Sequence, residues 1–450
     1  MHALYNLAVW MAQPLLRRKL AARARAEPLY GQWVAERFGR AYAAPAVLRE
    51  DERPLWIHAV SLGETRAAAI LAQALRARRP GLRLLLTHGT ATGRAEGARL
   101  LQAGDAQAWQ PWDTPAAVAR FLAHFRPRAG VLMETEIWPN LIAQSAAQGV
   151  PLALANARLS EKSLRAARRA AWLMRPAYAR LAAAWAQTDA DAARLRQMGA
   201  PVAGVFGNLK FDARPDQALL ALGQRWRKQA RQAGRAIVML ASSRDGEEAA
   251  LLWCIRQARA SDAAGLADIQ WLIVPRHPQR FDEVARLAQS HGLSVSRRSA
   301  WPQSANEGAN EGANESANES AHAAPPAADL WLGDSLGEMP AYYAAARVAL
   351  LGASFAPLGG QNLIEAAACA CPVVMGPHTF NFAQAAESAQ AAGAAWRAPD
   401  MPAALAAALT LARNEAAHER AAQAALALIA AHRGAAGHTA QAVLRLLDSA

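Results

Sequence analysis

Short apolar runs alternate with alanine-rich stretches of helical spacing over most of the chain beyond residue 53. Apolar runs of about four to eight residues are typical of strands buried in a parallel sheet, and the stretches between them are typical of helices that cover both faces of that sheet. In the first half of the chain this pattern predicts strands at residues 55–60, 82–86, 130–133, 152–155, 183–186 and 202–206.

The pattern restarts after residue 231 and predicts a second set of strands. These are expected at residues 237–241, 271–274, 294–297, 330–332, 348–351 and 372–375. We therefore predict an α/β protein with two Rossmann-like, doubly wound domains, an N-terminal one at 41–212 and a C-terminal one at 213–414.

The two predicted sheets also indicate where chemistry takes place. Ligands of open parallel sheets bind beyond the carboxyl ends of the strands, so two facing sheets predict an interdomain cleft lined by the loops that follow the strands. The last segment, 415–450, is predicted to form one long helix over about 415–447 that packs back across the first domain.

The N-terminal segment, 1–40, begins with an apolar stretch at residues 3–16. As a helix it spans about 21 Å, which is short of the roughly 30 Å hydrocarbon core of a bilayer. The basic residues that follow it are Arg17, Arg18, Lys19, Arg23 and Arg25. This order favours a membrane-associating, interfacial helix whose basic residues lie over anionic headgroups. A helix docked on the domain and a tilted single-pass anchor are the alternatives.

Composition and charge restrict the function classes further. Of 450 residues, 53% are hydrophobic, which excludes wholesale disorder. The 49 Lys and Arg exceed the 36 Asp and Glu by 13 charges, so the expected partner is anionic. Three cysteines without a CxxC pair, and histidines without HxxH spacing, argue against a disulfide framework and a metal site.

A four-residue Ala-Asn-Glu repeat interrupts the second domain between the predicted strands at 294–297 and 330–332. It has no large apolar side chain that could offset the entropy of ordering. We predict a flexible insertion at 304–326 with no catalytic role.

In the first domain, the candidate catalytic residues lie in or near the loops that follow the predicted strands. Glu64 stands at a predicted helix start, where a carboxylate serves either as a general base or as a partner of the helix dipole. Two more carboxylates, Glu134 and Glu136, follow the strand at 130–133. Lys210 lies at the predicted domain junction, where it can neutralise developing negative charge. The Asp189-Ala-Asp191 pattern matches a metal-binding motif but is interpreted as a helix cap.

Three strand-end loops of the second domain together predict a nucleotide pocket. Arg276 ends the segment at 274–278 and is placed to contact a phosphate. A second loop covers 333–339, and Gly359-Gly360 leads into a helix whose first amides suit an anion. Glu365, one turn into that helix, is placed to hold ribose hydroxyls.

The sequence resembles the 3-deoxy-D-manno-octulosonic acid (Kdo) transferases of lipopolysaccharide biosynthesis. The apolar-basic N-terminus and several segments, spread over most of the chain in family order, carry this resemblance. The segments are WIHAVSLGE (56–64), METEIWPNLI (133–142), NARLSEKS (156–163), GNLKFD (207–212), VPRHPQRF (274–281), GDSLGEM (333–339) and GGQNLIEAAACACPVVMGPHTFNF (359–382).

The resemblance implies a GT-B glycosyltransferase that transfers Kdo from CMP-Kdo to lipid IVA, the lipid A precursor, without a cofactor. It implies an enzyme on the cytoplasmic side of the inner membrane. By the same resemblance Glu64 is the catalytic base of an inverting reaction, and Lys210 acts with Glu134 or Glu136. The residues implied to surround CMP are Pro275, Arg276, Leu336, Gly337, Glu338, Asn362, Leu363, Ile364 and Glu365.

Two departures from the family pattern affect details of these expectations. Gln361 stands where the family usually has histidine, so this position can form hydrogen bonds but cannot carry charge. The usual TPTGSE loop reads Thr90-Ala-Thr-Gly-Arg-Ala95, which concerns acceptor contacts. A GT-B enzyme with another sugar nucleotide is the nearest alternative. A basic nucleic-acid-binding protein and a membrane scaffold belong to other classes, and scattered arginines without an RNA-binding signature argue against the former.

Overall fold

Each half of the chain builds its own parallel sheet. The computed structural model describes residues 2–42, 52–262, 264–301 and 325–449. Contacts divide the chain into unit 1, Met1–Asp212 with His432–Ala450, and unit 2, Ala213–Ala431. Most of the predicted repeat insertion at 304–326 lies outside the described residues.

The sheet of unit 1 has seven parallel strands within the described ranges, in the order β3-β2-β1-β4-β5-β6-β7. The strands are β1 (Leu55–His58), β2 (Leu84–His88), β3 (Ala106–Trp109), β4 (Ala129–Met133), β5 (Leu152–Ala157), β6 (Ala183–Ala186) and β7 (Val202–Val205). The order reverses direction between β1 and β4, so the loops after these two central strands open at the switch point where doubly wound sheets bind ligands.

Helices cover both faces of this sheet, as the buried apolar strands require. They are α1 (His2–Ala26), α2 (Leu62–Arg78), α3 (Ala91–Ala98), α4 (Pro115–Phe125), α5 (Pro139–Ala147), α6 (Glu161–Arg169), α7 (Ala171–Ala179) and α8 (Asp189–Gln197). One core packs α2 and the strands around Leu71 and Ile57, and a second packs Phe121 and Trp56 on the opposite side.

Unit 2 repeats this architecture with the order β10-β11-β9-β8-β12-β13-β14 in the described residues. Its strands are β8 (Ala236–Ser243), β9 (Ile269–Pro275), β10 (Val295–Arg297), β11 (Leu330–Leu332), β12 (Val348–Leu351), β13 (Val373–Met375) and β14 (Ala395–Arg397). Its helices are α9 (Gln217–Gln232), α10 (Glu247–Ser261), α11 (Phe281–Ser290), α12 (Met339–Ala345), α13 (Leu363–Ala368), α14 (Ala383–Ala391), α15 (Met401–Arg413) and α16 (Glu415–His432).

The expected single C-terminal helix is two helices. After α16, Gly434 adopts a φ of 112°, which L side chains rarely reach, and α17 (Ala435–Asp448) begins. Helix α16 belongs to unit 2, where Glu415 pairs with Arg347. Helix α17 alone returns to unit 1, and its Val443 and Leu447 enter the core beside α2.

The N-terminal helix α1 is longer than the apolar stretch that predicted it and contains Pro14. Its apolar side chains Leu4, Trp10, Met11 and Leu15 are each more than 60% exposed. Within the described part of the chain, no helix combines the length and apolar character that crossing a membrane requires.

Candidate active site

The backbone of unit 1 is strained where its central strands end. Glu134, directly after β4, has a φ of 55°, and Asn156 in β5 has a φ of 52°. A left-handed conformation costs a residue with a Cβ of the order of 1 kcal/mol, and such residues cluster at functional sites. The peptide hydrogen bonds from Glu134 N to Ala155 O and from Arg158 N to Glu134 O hold this geometry.

Glu64 occupies the first turn of α2, where it completes a capping box. Ser61 is the N-cap, and its hydroxyl accepts the Glu64 amide at 3.3 Å. In return, the Glu64 carboxylate accepts Val60 N at 2.6 Å and the Ser61 hydroxyl at 3.1 Å. Both roles that the sequence predicts for Glu64, partner of the helix dipole and general base, are therefore compatible with the structure. The same half-buried carboxyl caps α2 and lies just beyond the end of β1.

Burial and a neighbouring charge act on Glu64 in the same direction. Desolvation raises the pKa of this carboxyl, the charge of Glu134 raises it further, and the bonds from Val60 and Ser61 lower it. A carboxylate with a raised pKa is a stronger proton acceptor, which is what general-base chemistry requires.

Glu134 is the partner of Lys210. The Lys210 Nζ donates to Glu134 Oε1 at 2.8 Å, and both side chains are largely buried. Lys210 sits in a short turn after β7, where Lys210 N donates to Asn208 Oδ1 and Leu209 N donates to Asn156 Oδ1. The pair places a fixed positive charge at the sheet edge.

Glu136 is in a different environment from Glu134. Its Oε2 accepts the indole N–H of Trp138 at 2.8 Å, and it lies 3.9 Å from His58 Nε2. Burial, together with the charge of Glu64, raises the pKa of Glu136 to about 7. Near neutral pH this carboxyl therefore holds a proton for much of the time.

The structure thus brings all four predicted catalytic residues of unit 1 to one sheet edge. The charge of Glu134 raises the pKa of Glu64, the charges of Glu64 and Glu134 raise the pKa of Glu136, and Lys210 is bonded to Glu134. Carboxyls whose environments separate their protonation states can serve as base and acid at the same pH. The arrangement suits removal of a proton from a hydroxyl next to a stabilising cation.

Two polar residues that support this edge had no assigned role in the sequence. His58 ends β1 and is fully buried, with its Nδ1 at 2.8 Å from Thr87 Oγ1. Asp113 accepts Asn140 N and Leu141 N, which fixes the start of α5 after the Glu134–Trp138 loop. His58 could have been identified from the sequence because it is a polar residue in an otherwise apolar strand.

The Asp189-Ala-Asp191 pattern is a helix cap, as interpreted from the sequence. Thr188 is the N-cap of α8 and accepts Asp191 N at 2.9 Å. The Asp191 carboxylate in turn accepts Leu159 N at 2.9 Å. Within the described residues, no group of three or more His, Cys, Asp or Glu side chains is arranged to hold a metal ion.

In unit 2, the loops after β8 and β9 form a cationic cluster. Arg276 is exposed at the end of β9, and its main-chain N donates to Ser243 O. The Arg244 guanidinium lies 2.7 Å from His277 Nε2. Burial and the charges of Arg244, Arg276 and Arg280 lower the pKa of His277. Of these arginines, Arg276 was predicted from the sequence; Arg244 also directly follows a strand, and this position could have identified it.

The buried carboxylate of Glu247 organises these loops. It accepts Arg244 N at 2.9 Å and Ala353 N at 2.8 Å through Oε2, and Phe355 N at 3.2 Å through Oε1. Ala353 and Ser242 both have positive φ, so the strand ends of unit 2 are strained in the same way as those of unit 1.

In the loop at 333–339, the carboxylate of Glu338 is hydrogen-bonded within unit 2. Glu338 accepts Arg298 Nη2 at 2.7 Å and is also bonded to the Ser335 hydroxyl. Gly337 has a φ of 87°, and Leu336 is 75% exposed. Of the three residues predicted here to surround CMP, Leu336 and Gly337 offer surface to a ligand, whereas the Glu338 carboxylate is already engaged.

The glycine-rich entry to α13 has the conformation that glycine allows. Gly359 and Gly360 have φ values of 90° and 77°, and Asn362 caps the helix through Ile364 N at 3.2 Å. Leu363 and Ile364 are each 1% exposed. Their side chains belong to the core, so only their main-chain groups are available to a nucleotide. Glu365 is half-buried in the first turn, and Pro275 is buried.

Comparisons with known proteins identify relatives over the full chain. The family described as 3-Deoxy-D-manno-octulosonic-acid transferase (kdotransferase) matches residues 32–213. A 3-deoxy-D-manno-octulosonic acid transferase of Bordetella pertussis is 49% identical, with 98% of each chain covered. The same-named protein of Haemophilus influenzae is 29% identical, covering 84% of this chain and 82% of the relative.

Among solved structures, a similar fold occurs in an enzyme whose name differs from that of the sequence relatives. A UDP-GlcNAc 2-epimerase from Neisseria meningitidis has a TM-score of 0.53 at 13% identity and covers 88% of this chain and 100% of its own. This likeness concerns the fold and confirms the GT-B-like, doubly wound architecture expected from the sequence.

Proposed function

The chain belongs to the family of 3-deoxy-D-manno-octulosonic acid (Kdo) transferases, and we propose that it transfers Kdo from CMP-Kdo to lipid IVA with inversion at the anomeric carbon. The observation that carries this proposal is the Glu64–Glu134–Lys210–Glu136 cluster at the carboxyl edge of the unit 1 sheet. Its chemistry matches activation of a sugar hydroxyl.

Glu64 is the general base of the proposed reaction. Its carboxylate accepts the proton of a glucosamine hydroxyl while that oxygen forms a bond to the Kdo anomeric carbon. The bond from that carbon to the phosphate oxygen breaks on the opposite face, and CMP leaves with the bonding electrons. General-base assistance of this kind contributes about 10²–10⁴-fold to rate.

Lys210 supplies the fixed positive charge of the site. Glu134 holds its Nζ at 2.8 Å, so the ammonium group needs no reorganisation when negative charge develops. This pairing favours Glu134, of the two glutamates left open by the sequence, as the partner of Lys210. Glu136, with its pKa raised to about 7, is the carboxyl of the cluster that is partly protonated near neutral pH.

Unit 2 is proposed to hold CMP. The charges of Arg244, Arg276 and Arg280 act on His277 in the loops after β8 and β9; the Arg244 guanidinium contacts the ring, and the Arg280 guanidinium is paired with Glu248. Such a cluster suits the single phosphate of CMP and stabilises it as a leaving group. The loops at Leu336–Gly337 and Gly359–Asn362 are proposed to contact the remainder of the nucleotide.

We place the enzyme at the cytoplasmic face of the inner membrane. Leu4, Leu7, Met11 and Leu15 are exposed at spacings of three and four, so they share one face of α1. The basic residues from Arg17 to Arg25 follow on the same helix. An apolar face next to a basic cluster is the pattern of helices that bind anionic bilayers.

The substrate assignment is tested by supplying one acceptor and several donors. Purified protein is incubated with lipid IVA and CMP-Kdo, CMP-N-acetylneuraminate, UDP-glucose or UDP-GlcNAc, and the lipid product is analysed by mass spectrometry. We expect a Kdo-sized mass increment with CMP-Kdo alone. Turnover with a UDP-sugar instead would favour another GT-B activity, and tight RNA retention on a filter at physiological salt would favour the nucleic-acid alternative.

A further inference from the structure

A buried histidine next to the carboxyl cluster has one nitrogen without a hydrogen-bond partner. His58 is 0% exposed, and its Nε2 makes no hydrogen bond within the described residues. That nitrogen lies 3.9 Å from Glu136 Oε2. A buried nitrogen with no partner costs free energy, so its retention beside a reactive carboxyl calls for a physical reason.

The tautomer of His58 is assigned from the contacts of its other ring nitrogen. His58 Nδ1 lies 3.2 Å from Thr87 O, which can only accept, and 2.8 Å from Thr87 Oγ1. The Thr87 hydroxyl oxygen also accepts the Trp56 indole N–H at 2.7 Å. The contact with Thr87 O is a hydrogen bond only when Nδ1 carries the proton, and we assign this tautomer, in which Nε2 is a bare lone pair 3.9 Å from Glu136 Oε2.

The charge state of the imidazole agrees with this assignment. Desolvation, aided by His88, lowers the pKa of His58 to about 3, so the ring is neutral at working pH. A neutral Nε2 facing an ionised Glu136 would bring two acceptors together, which is repulsive. A proton on Glu136 Oε2 converts the same contact into a hydrogen bond, and Oε2 still accepts Trp138 Nε1.

We propose that His58 is a positioning residue whose Nε2 accepts a hydrogen bond from the protonated carboxyl of Glu136 and so keeps that carboxyl neutral beside the base Glu64. This inference rests on the proposed function. At 3.9 Å the two atoms are not hydrogen-bonded in the free protein, so the proposed bond requires the Glu136 carboxyl to move closer to His58. Hydrogen bonds of this kind are often long in the free enzyme and tighten in the reacting complex.

Other charged and titratable groups face this pair from the surrounding elements. Glu64 on α2 and Glu134 after β4 raise the pKa of Glu136, and Lys210 is paired with the latter. The charge of His88 on β2 lowers the pKa of His58, whereas the side chain of Gln110 lies close enough to the imidazole to raise it. Because burial and the charge of Glu64 both oppose ionisation of Glu136, a neutral Glu136 leaves the negative charge of the pair on Glu64, where the base needs it.

Nuclear magnetic resonance of the full-length protein without substrate tests this inference independently of the acceptor and donor. Nitrogen-15 spectra of His58 are expected to show a protonated Nδ1 and a bare Nε2 at pH 7. Carbon-13 carboxyl spectra, assigned by loss of the signal in Glu136→Gln, are expected to show Glu136 titrating near 7. A protonated Nε2 at pH 7 overturns the proposal without any His58 variant.

Two variants distinguish the roles of the two imidazole nitrogens of His58. His58→Asn keeps a polar atom near the Nδ1 position but none near Nε2, whereas His58→Gln carries one near Nε2. We expect the Glu136 midpoint to fall by about one pH unit in His58→Asn, because a net hydrogen bond has been lost, and to stay within half of that change in His58→Gln. An unchanged or raised midpoint in His58→Asn overturns the proposal.

Kinetics with CMP-Kdo and lipid IVA give the second readout. In His58→Asn we expect kcat near pH 7.5 to fall about five- to tenfold while KM for CMP-Kdo stays unchanged, with recovery in His58→Gln. In a Glu136→Gln background the same substitution is expected to change kcat less than twofold, because the group it acts through is already neutral. Equal losses in both backgrounds contradict the inference. If no Kdo transfer occurs in the parent, the proposed function fails while the titration result stands.

Discussion

At the scale of single residues, three carboxyl groups on one sheet edge are set apart by their different neighbours. Glu134 is bonded to Lys210, Glu136 to the Trp138 indole, and Glu64 to the Val60 amide and Ser61 hydroxyl. The residue types and their strand-end positions were predictable from the sequence. Their protonation was not, because it depends on burial and on which carboxylate Lys210 reaches.

The raised pKa of Glu136 predicts a stability that depends on pH. Between the ordinary value of 4.5 and about 7, the folded protein holds a proton that the unfolded chain releases, so stability falls as pH rises through this window. At pH 8.5 the ionised carboxyl destabilises the fold on the order of 3 kcal/mol.

Glu136→Gln cannot ionise and removes this penalty. We expect the variant to unfold at a higher temperature than the parent at pH 8.5 and at nearly the same temperature at pH 4.5. Calorimetry at the two pH values checks the difference. Glu419→Gln, at an exposed position of α16, is the matched control and is expected to show no such dependence. Equal shifts in the two variants would contradict the burial argument.

Removing the ammonium group of Lys210 tests its electrostatic role. Lys210→Met keeps the length of the side chain but leaves the buried Glu134 carboxylate unpaired. We expect kcat/KM for Kdo transfer to fall about 10²- to 10³-fold, as when one preorganised stabilising group is lost, with CMP affinity unchanged. Lys228→Met on α9 is the exposed control. Retention of half of the activity in Lys210→Met would remove Lys210 from the mechanism.

At the scale of elements, apolar patterning located every strand with a strongly apolar sequence to within two residues. The strands that this pattern did not predict, β3 and β14, are the outermost strands of their sheets. β3 reads Ala-Gln-Ala-Trp and β14 reads Ala-Trp-Arg, so their pairing with β2 and β13 is what makes them strands. Likewise, the break between α16 and α17 depends on Asp212, whose carboxylate accepts Gly434 N and Ala436 N from the far end of the chain.

Close packing of α9 on α12 predicts a sensitive glycine. A Cβ at Gly223 would lie 2.0 Å from the carbonyl oxygen of Ala341, a main-chain atom that cannot yield without moving α12. We expect Gly223→Ala to destabilise unit 2 by about 1–3 kcal/mol, as overpacked cores do, despite the better helix propensity of alanine.

Urea denaturation of the two glycine variants measures this effect. Gly63→Ala is the control, because a Cβ on that helical glycine meets nothing within 4 Å. It is expected to be neutral or stabilising by up to about 1 kcal/mol. Similar unfolding midpoints for Gly223→Ala and Gly63→Ala would show that α9 and α12 are less closely packed than described.

At the scale of the whole molecule, the carboxyl cluster lies in unit 1 and the arginine-rich loops that follow the strands lie in unit 2. The sequence indicated this division because the two sets of motifs lie in separate halves. It could not indicate that α17 belongs to unit 1, since contact with α2 is what assigns that segment.

The exposed apolar face of α1 predicts binding to anionic bilayers. Replacing Leu7 and Met11 by serine removes apolar area from that face while keeping the basic residues. We expect the double variant to sediment with phosphatidylglycerol-containing vesicles at least tenfold less than the parent. Leu426→Ser, at an exposed position of α16, is the matched control. Unchanged sedimentation of the α1 variant would place the membrane contact elsewhere.

The most direct test of the central claim separates the two roles of Glu64. Glu64→Gln preserves the capping box, because glutamine accepts Val60 N as glutamate does, but it cannot take up a proton from a hydroxyl. With CMP-Kdo and lipid IVA, turnover measured by mass spectrometry of the lipid is expected to fall at least 10²-fold, while the Kd for CMP and the thermal midpoint stay as in the parent. Full turnover in this variant would show that Glu64 is only a helix cap and that the base lies elsewhere.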